Sequence, residues 1–171
     1  MKIFPVLGGA SYAPDYNAVA RPGMRRHDGV DVFAPEGTPL LAVDDGVASF
    51  GQDPIGGSVV NLRAADGTRY YYAHLARFEG GSRPVRAGEL IGYVGRTGNA
   101  ANTPPHVHFE VRPGGGAPVD PFPLLRGAPV VQRRSITTAA PSPLPGLLLA
   151  AGLAGGAYLL SRRTPRRRWA T

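Results

Sequence analysis

The run His106-Val107-His108-Phe109-Glu110-Val111 alternates polar and apolar side chains without a break, a period of two that a strand supplies and a helix does not. Val107, Phe109 and Val111 fall on one face and belong to a core, while His106, His108 and Glu110 fall on the other. Two imidazoles one residue apart therefore share a small volume above a sheet. That is the pattern of a metal site, and equally of two histidines on an exposed edge strand. Elsewhere 24 glycines and 18 prolines cut the chain into short apolar runs, which predicts many strands and turns in an all-β, antiparallel fold. With no cysteine present, any transition metal must be held by His, Asp or Glu.

Two hairpins are expected upstream. Residues 38–43, the turn Asp44-Asp45-Gly46 and residues 47–50 form the first; residues 58–62, the turn Ala65-Asp66-Gly67 and residues 69–74 form the second. Along the second, alternation puts Tyr70, Tyr72 and His74 on one face and Tyr71, Ala73 and Leu75 on the other. If the first face looks into a cleft, His74 joins the histidine pair; viewed alone, it is a half-buried histidine at a strand end. Residues 85–94 give a turn and a buried strand, and Pro104 and Pro105 stiffen the loop that feeds into His106. His27 and Asp31 are four apart, roughly 13 Å in a straight strand, too far to share one ion. A bend at Gly29 would close that gap, and Gly29, Val30, Val32 and Pro35 argue against a helix. By itself the motif reads as a solvated loop.

His27, His74, His106 and His108 are the only histidines in the chain. Three ligands of His, Asp, His type with an open fourth position are what a catalytic zinc requires, and two further imidazoles with ordinary pKa near 6.5 can carry protons. The set His27-x-x-x-Asp31, Tyr72-Ala73-His74-Leu75 and His106-Val107-His108-Phe109-Glu110 resembles the lysostaphin/LytM-type zinc metallopeptidases, family M23. So do Gly37-Thr38-Pro39-Leu40, Gly88-Glu89-Leu90-Ile91-Gly92 and Thr103-Pro104-Pro105-His106, and the resemblance covers about residues 3–125. It implies a compact antiparallel sheet with a substrate groove, one zinc ion held by His27, Asp31 and His108, and His74 and His106 as the catalytic pair. The implied reaction is hydrolysis of peptide bonds in the stem peptides or cross-bridges of bacterial peptidoglycan. The family also uses a tyrosine upstream of its first zinc histidine, a place that Tyr12 or Tyr16 would fill here. LytM-like domains that have lost ligands serve as binding or activating modules; all five key positions are present in this chain. The hairpins around residues 42–46 and 85–92 also resemble biotinyl or lipoyl carriers, which need a lysine at a hairpin tip, and the only lysine is Lys2.

The net charge of +7 separates by position: every acidic residue precedes residue 126, whereas residues 126–171 carry eight arginines and no acid. The folded part is nearly neutral, which argues against a nucleic-acid partner. The expected organisation is a peptidase domain over 1–127, a Pro/Ser/Thr/Ala linker over 128–143, a transmembrane helix over 144–161 and a basic tail over 162–171. The uncharged run 144–160 would span roughly 25 Å as a helix, with arginines and Trp169 beyond it. The positive-inside tendency then keeps the arginines in the cytoplasm and turns the peptidase toward the wall or periplasm. Residues 1–6 hold no secretory signal. Export would depend on the tail helix, on an upstream start or on delivery by a phage, including a place in a virion membrane.

Overall fold

A computed structural model describes residues 1–18 and 26–132. The chain runs β1 (Ser11–Tyr12), β2 (Val30–Phe33), β3 (Pro39–Leu41), β4 (Gly46–Asp53), β5 (Gly57–Ala64), β6 (Arg69–Ala73), β7 (Arg77–Phe78), β8 (Arg83–Val85), β9 (Leu90–Tyr93) and β10 (His106–Arg112). Two 3-10 turns, Gly98–Ala100 and Pro113–Gly115, flank β10, and a short helix α1 (Phe122–Gly127) follows. Seven strands form one sheet in the order β1-β2-β10-β6-β5-β4-β8, and β3-β9-β7 form a second. Every pairing is antiparallel.

The alternation seen in the sequence decides what each face of the large sheet does. Val30 and Val32 of β2, Val60 and Leu62 of β5, and Val107 and Phe109 of β10 are buried with Leu40 and Ile91 of the small sheet. Phe109 lies between two tyrosines of β6, stacked on Tyr70 at 6.2 Å and edge-on to Tyr72 at 5.2 Å. Tyr72 is fully buried, and its hydroxyl is satisfied at the small sheet: it accepts from the Val43 amide at 3.0 Å and donates to the Leu41 carbonyl at 3.2 Å.

Two expectations change. Residues 38–43 and 47–50 are not a hairpin: β3 pairs with β9, β4 pairs with β5 and β8, and the Asp44-Asp45 turn carries the chain from one sheet to the other. The Val43 amide goes to Tyr72 rather than to a cross-strand partner, so the corner is set by a buried hydroxyl. The condition set on β6, that the Tyr70–Tyr72 face looks into the cleft, is also not met. Tyr70 and Tyr72 point into the core, and Tyr71 and Ala73 face the other side. Burying two large aromatic rings outweighs placing them over a polar cleft. The hairpin of β5 and β6 forms as expected. Among the described residues no helix is long and apolar enough to cross a membrane, and the linker, transmembrane and basic-tail expectations from residue 133 onward lie outside the described residues.

Candidate active site

The polar face of the large sheet is the floor of a groove of about 1000 Å³. His108 and Glu110 rise from β10, Tyr71 and Ala73 from β6, Asn61 from β5, and Asp31 from β2 beside His108, its register partner. The loop before β2 brings His27 to the same point. The bend expected at Gly29 is there: a Cβ on Gly29 would collide with the Phe109 carbonyl and come within 2.9 Å of the His108 ring. Glycine lets the loop press against β10, and this closes the His27–Asp31 gap.

Three donor atoms converge. His27 Nε2 lies 2.9 Å from His108 Nδ1 and 3.1 Å from Asp31 Oδ1, and His108 Nδ1 lies 3.1 Å from the same Oδ1. No other cluster among the described residues brings three such ligand atoms together. The outer nitrogens are committed elsewhere. His27 Nδ1–H donates to the Asp15 carbonyl at 3.1 Å, and His108 Nε2–H donates to Glu110 Oε1 at 3.1 Å. Each imidazole, when neutral, thus turns a lone pair inward, and three electron-rich atoms face one another in a space that fits a cation. Around a tetrahedral zinc with ligands at about 2.0–2.1 Å, donor atoms stand about 3.3 Å apart, close to this triangle.

Electrostatics agree with a site built for positive charge. Burial works to raise the Asp31 carboxyl, but hydrogen bonds with His108 and His27 outweigh it and hold it far below the usual range. Burial works against protonating His108, yet Asp31 and Glu110 push it up to about 9 in the metal-free chain. Glu110 is itself held ionised against burial by His108 and by Arg112, whose Nε donates to it at 2.6 Å.

His74 and His106 stand beside this cluster, their rings 5.0 Å apart and His106 Nε2 3.8 Å from Asp31 Oδ1. His74 reaches the groove by a route that strand alternation does not provide. At φ +67° its backbone is left-handed, which swings the side chain off the β6 pattern. Its Nδ1–H donates to the Thr97 carbonyl at 2.9 Å, and that of His106 donates to the Pro104 carbonyl at 2.8 Å. Both therefore present Nε2 as the basic atom. Burial, reinforced by His106, pushes His74 down to about 4.

The tyrosine expectation is not met. Tyr12 packs between Phe4 and Phe122, and Tyr16 donates to the Pro118 carbonyl at 2.7 Å; neither lines the groove. Tyr71 does, its ring 6.4 Å from that of His108. Glu110 and Asp15, which orient the inner histidines, carried no signal at Asp15 and only the alternation of β10 at Glu110.

Three ligand atoms gathered in one triangle beside two further imidazoles, on the polar face of an antiparallel sheet, are the fold and site of the lysostaphin/LytM class of peptidases. The chain belongs to peptidase family M23, whose profile matches residues 25–121. It is 43% identical over 106 residues to the DD-carboxypeptidase/endopeptidase Mpg of Neisseria meningitidis, covering 61% of this chain and 24% of that protein. It is 34% identical over 116 residues to the L-Ala–D-Glu endopeptidase of Bacillus subtilis, covering 61% of this chain and 36% of the relative. The chain thus spans about a quarter to a third of the length of these relatives. The crystallised catalytic domain of lysostaphin from Staphylococcus simulans superimposes with a TM-score of 0.60 at 31% identity, over 68% of this chain and 92% of that domain.

Proposed function

We propose that the chain is a zinc-dependent endopeptidase acting on the peptides of bacterial peptidoglycan. The donor triangle carries this reading: Asp15 orients His27 and Glu110 orients His108 so that their inner lone pairs meet beside Asp31 Oδ1. They would hold one zinc per chain. When bound, zinc supplies Lewis acidity for a scissile carbonyl and lowers the pKa of a water at the open position, to about 7 in well-characterised sites.

His74 and His106 form the proton-transfer pair. With Nδ1 of each donating to a backbone carbonyl, Nε2 takes the proton of the attacking water as its oxygen bonds to the carbonyl carbon. The same nitrogen returns a proton to the amine as the C–N bond breaks. Burial lowers His74 to about 4, so its lone pair is available at neutral pH. The groove has the volume to take an extended peptide across the floor of the sheet. The apolar run 144–160 and the arginines after it support anchoring in a membrane with the peptidase toward the wall or periplasm, or in a virion membrane if a phage encodes the chain.

The test is soluble peptide release from peptidoglycan sacculi by the full chain, with chelator and with zinc added back. Zinc-restored release is expected. His108→Ala should lose both zinc and activity, whereas His106→Ala should keep zinc and lose about 10²–10⁴-fold in rate. A His106→Ala chain that cleaves like the wild type overturns the assignment. Zinc binding with no release from any wall would mark a non-catalytic binding or activating module.

A further inference from the structure

Across β10 and β6, His108 pairs with Ala73, Glu110 with Tyr71, and Arg112 with Arg69. On its other side Arg69 pairs with Arg63 of β5. Residues directly opposite in an antiparallel ladder share a face, so three guanidinium side chains stand in one row across three adjacent strands. Like charges placed directly opposite destabilise a sheet. Among the described residues only Arg112 is compensated: it donates to Glu110 at 2.6 Å and lies 3.5 Å from Asp28. Among the described residues neither Arg69 nor Arg63 has an ion-pair partner.

Arg69 lines the groove, and its Nε is buried without a hydrogen-bond partner among the described residues. Asn61, the register partner of Tyr71, also lines the groove, and its Oδ1 is likewise buried and unpaired. A donor and an acceptor left unsatisfied on one floor, next to uncompensated positive charge, call for a ligand that supplies both an anion and an N–H.

Resting on the peptidase reading of the groove, we infer that Arg69 and Asn61 form a subsite for a carboxylate-bearing part of the substrate peptide. The Arg69 fork takes the carboxylate, as guanidinium groups do best, and Asn61 Oδ1 accepts an N–H from the same peptide. Along the strand direction Asn61 lies one same-face row from His108, roughly 7 Å, and Arg69 two rows, roughly 13 Å. A carboxylate there sits about three or four residues from the scissile bond along an extended backbone, or fewer if a side chain carries it. The substrate class is therefore an acidic peptide and not an uncharged glycine bridge.

The test separates binding from cleavage. The full chain, stripped of metal by chelator, is titrated calorimetrically with a peptide containing L-Ala–D-Glu with free carboxylates, and with the same peptide fully amidated. The wild type is expected to prefer the acid form at least tenfold. Arg69→Gln should bring the ratio to about one, and Arg69→Lys, which keeps charge without the fork, should fall between. Zinc uptake and melting temperature serve as folding controls, and the Lys variant answers if the Gln variant does not fold. A wild-type ratio near one, no binding of either peptide, or an undiminished preference in Arg69→Gln overturns the subsite. A chain that shows the preference yet releases nothing from sacculi with zinc overturns the peptidase reading alone.

Discussion

His108 uses both ring nitrogens, and Glu110 decides which one does what. By accepting from Nε2–H at 3.1 Å, Glu110 leaves the Nδ1 lone pair facing His27 and Asp31. Glu110 is almost fully buried and is kept ionised in that position by His108 and Arg112. Glu110→Gln keeps the shape and removes the charge, so the ring loses its orienting anion and the nitrogen its added basicity. The expected outcome is a 10–100-fold loss of zinc affinity with little change in fold, read by competition against a chromophoric chelator. Unchanged affinity would show that packing alone holds the ring. His27 is oriented by Asp15, whose carbonyl accepts from Nδ1–H at 3.1 Å while its carboxylate Oδ2 lies 3.5 Å from the same nitrogen.

At the scale of elements, the site depends on a loop and two strands meeting at close range. Gly29 is where the loop touches β10, and Gly29→Ala drives a methyl group into the Phe109 carbonyl and the His108 ring. The loop must retreat, at about 1–3 kcal/mol for overpacking, and His27 moves with it. Urea melts should show that loss, together with at least a tenfold weaker hold on zinc; a variant with wild-type affinity would show that the loop relaxes without moving His27. The strands themselves were readable from alternation where one face is apolar throughout, as in β10, whereas β2, four residues long, reads from sequence as part of a solvated loop. In β6 every position from Tyr70 to Ala73 can be buried, so period two yields the two faces but not which faces the core. His74 reaches the groove through a left-handed backbone that no side-chain pattern announces.

At the scale of the whole molecule, His74 makes stability depend on pH. Its side chain is buried and its folded pKa is about 4, against about 6.5 when unfolded. Between these values the unfolded chain binds the proton and the folded chain does not, so acidification from pH 6.5 to 4 favours unfolding. Above pH 6.5 the group is neutral in both states and has no effect. Melts of the chelated chain should fall in this window, and His74→Gln should flatten the fall; identical slopes would mean that His74 is solvated in the folded state. His108 acts in the opposite sense: with a folded pKa near 9, its contribution to the metal-free fold is full below pH 6.5 and lost as pH rises to 9. Measuring the difference between wild type and variant isolates His74 from it.

The sequence by itself determined the all-β class, the inward and outward faces of β10, the residue types available to a metal and, through its resemblance, the family; each rests on local period, composition or spacing along the chain. Only the tertiary structure decided that His27, Asp31 and His108 meet in one triangle, that Glu110 and Asp15 orient the two histidines, that Tyr71 rather than Tyr12 or Tyr16 lines the groove, and that Arg69 stands on its floor with its Nε buried and, among the described residues, unbonded. Those facts depend on which residues far apart in the chain become neighbours, and neighbours across a sheet are set by register and by the burial of large side chains, which local patterns do not encode.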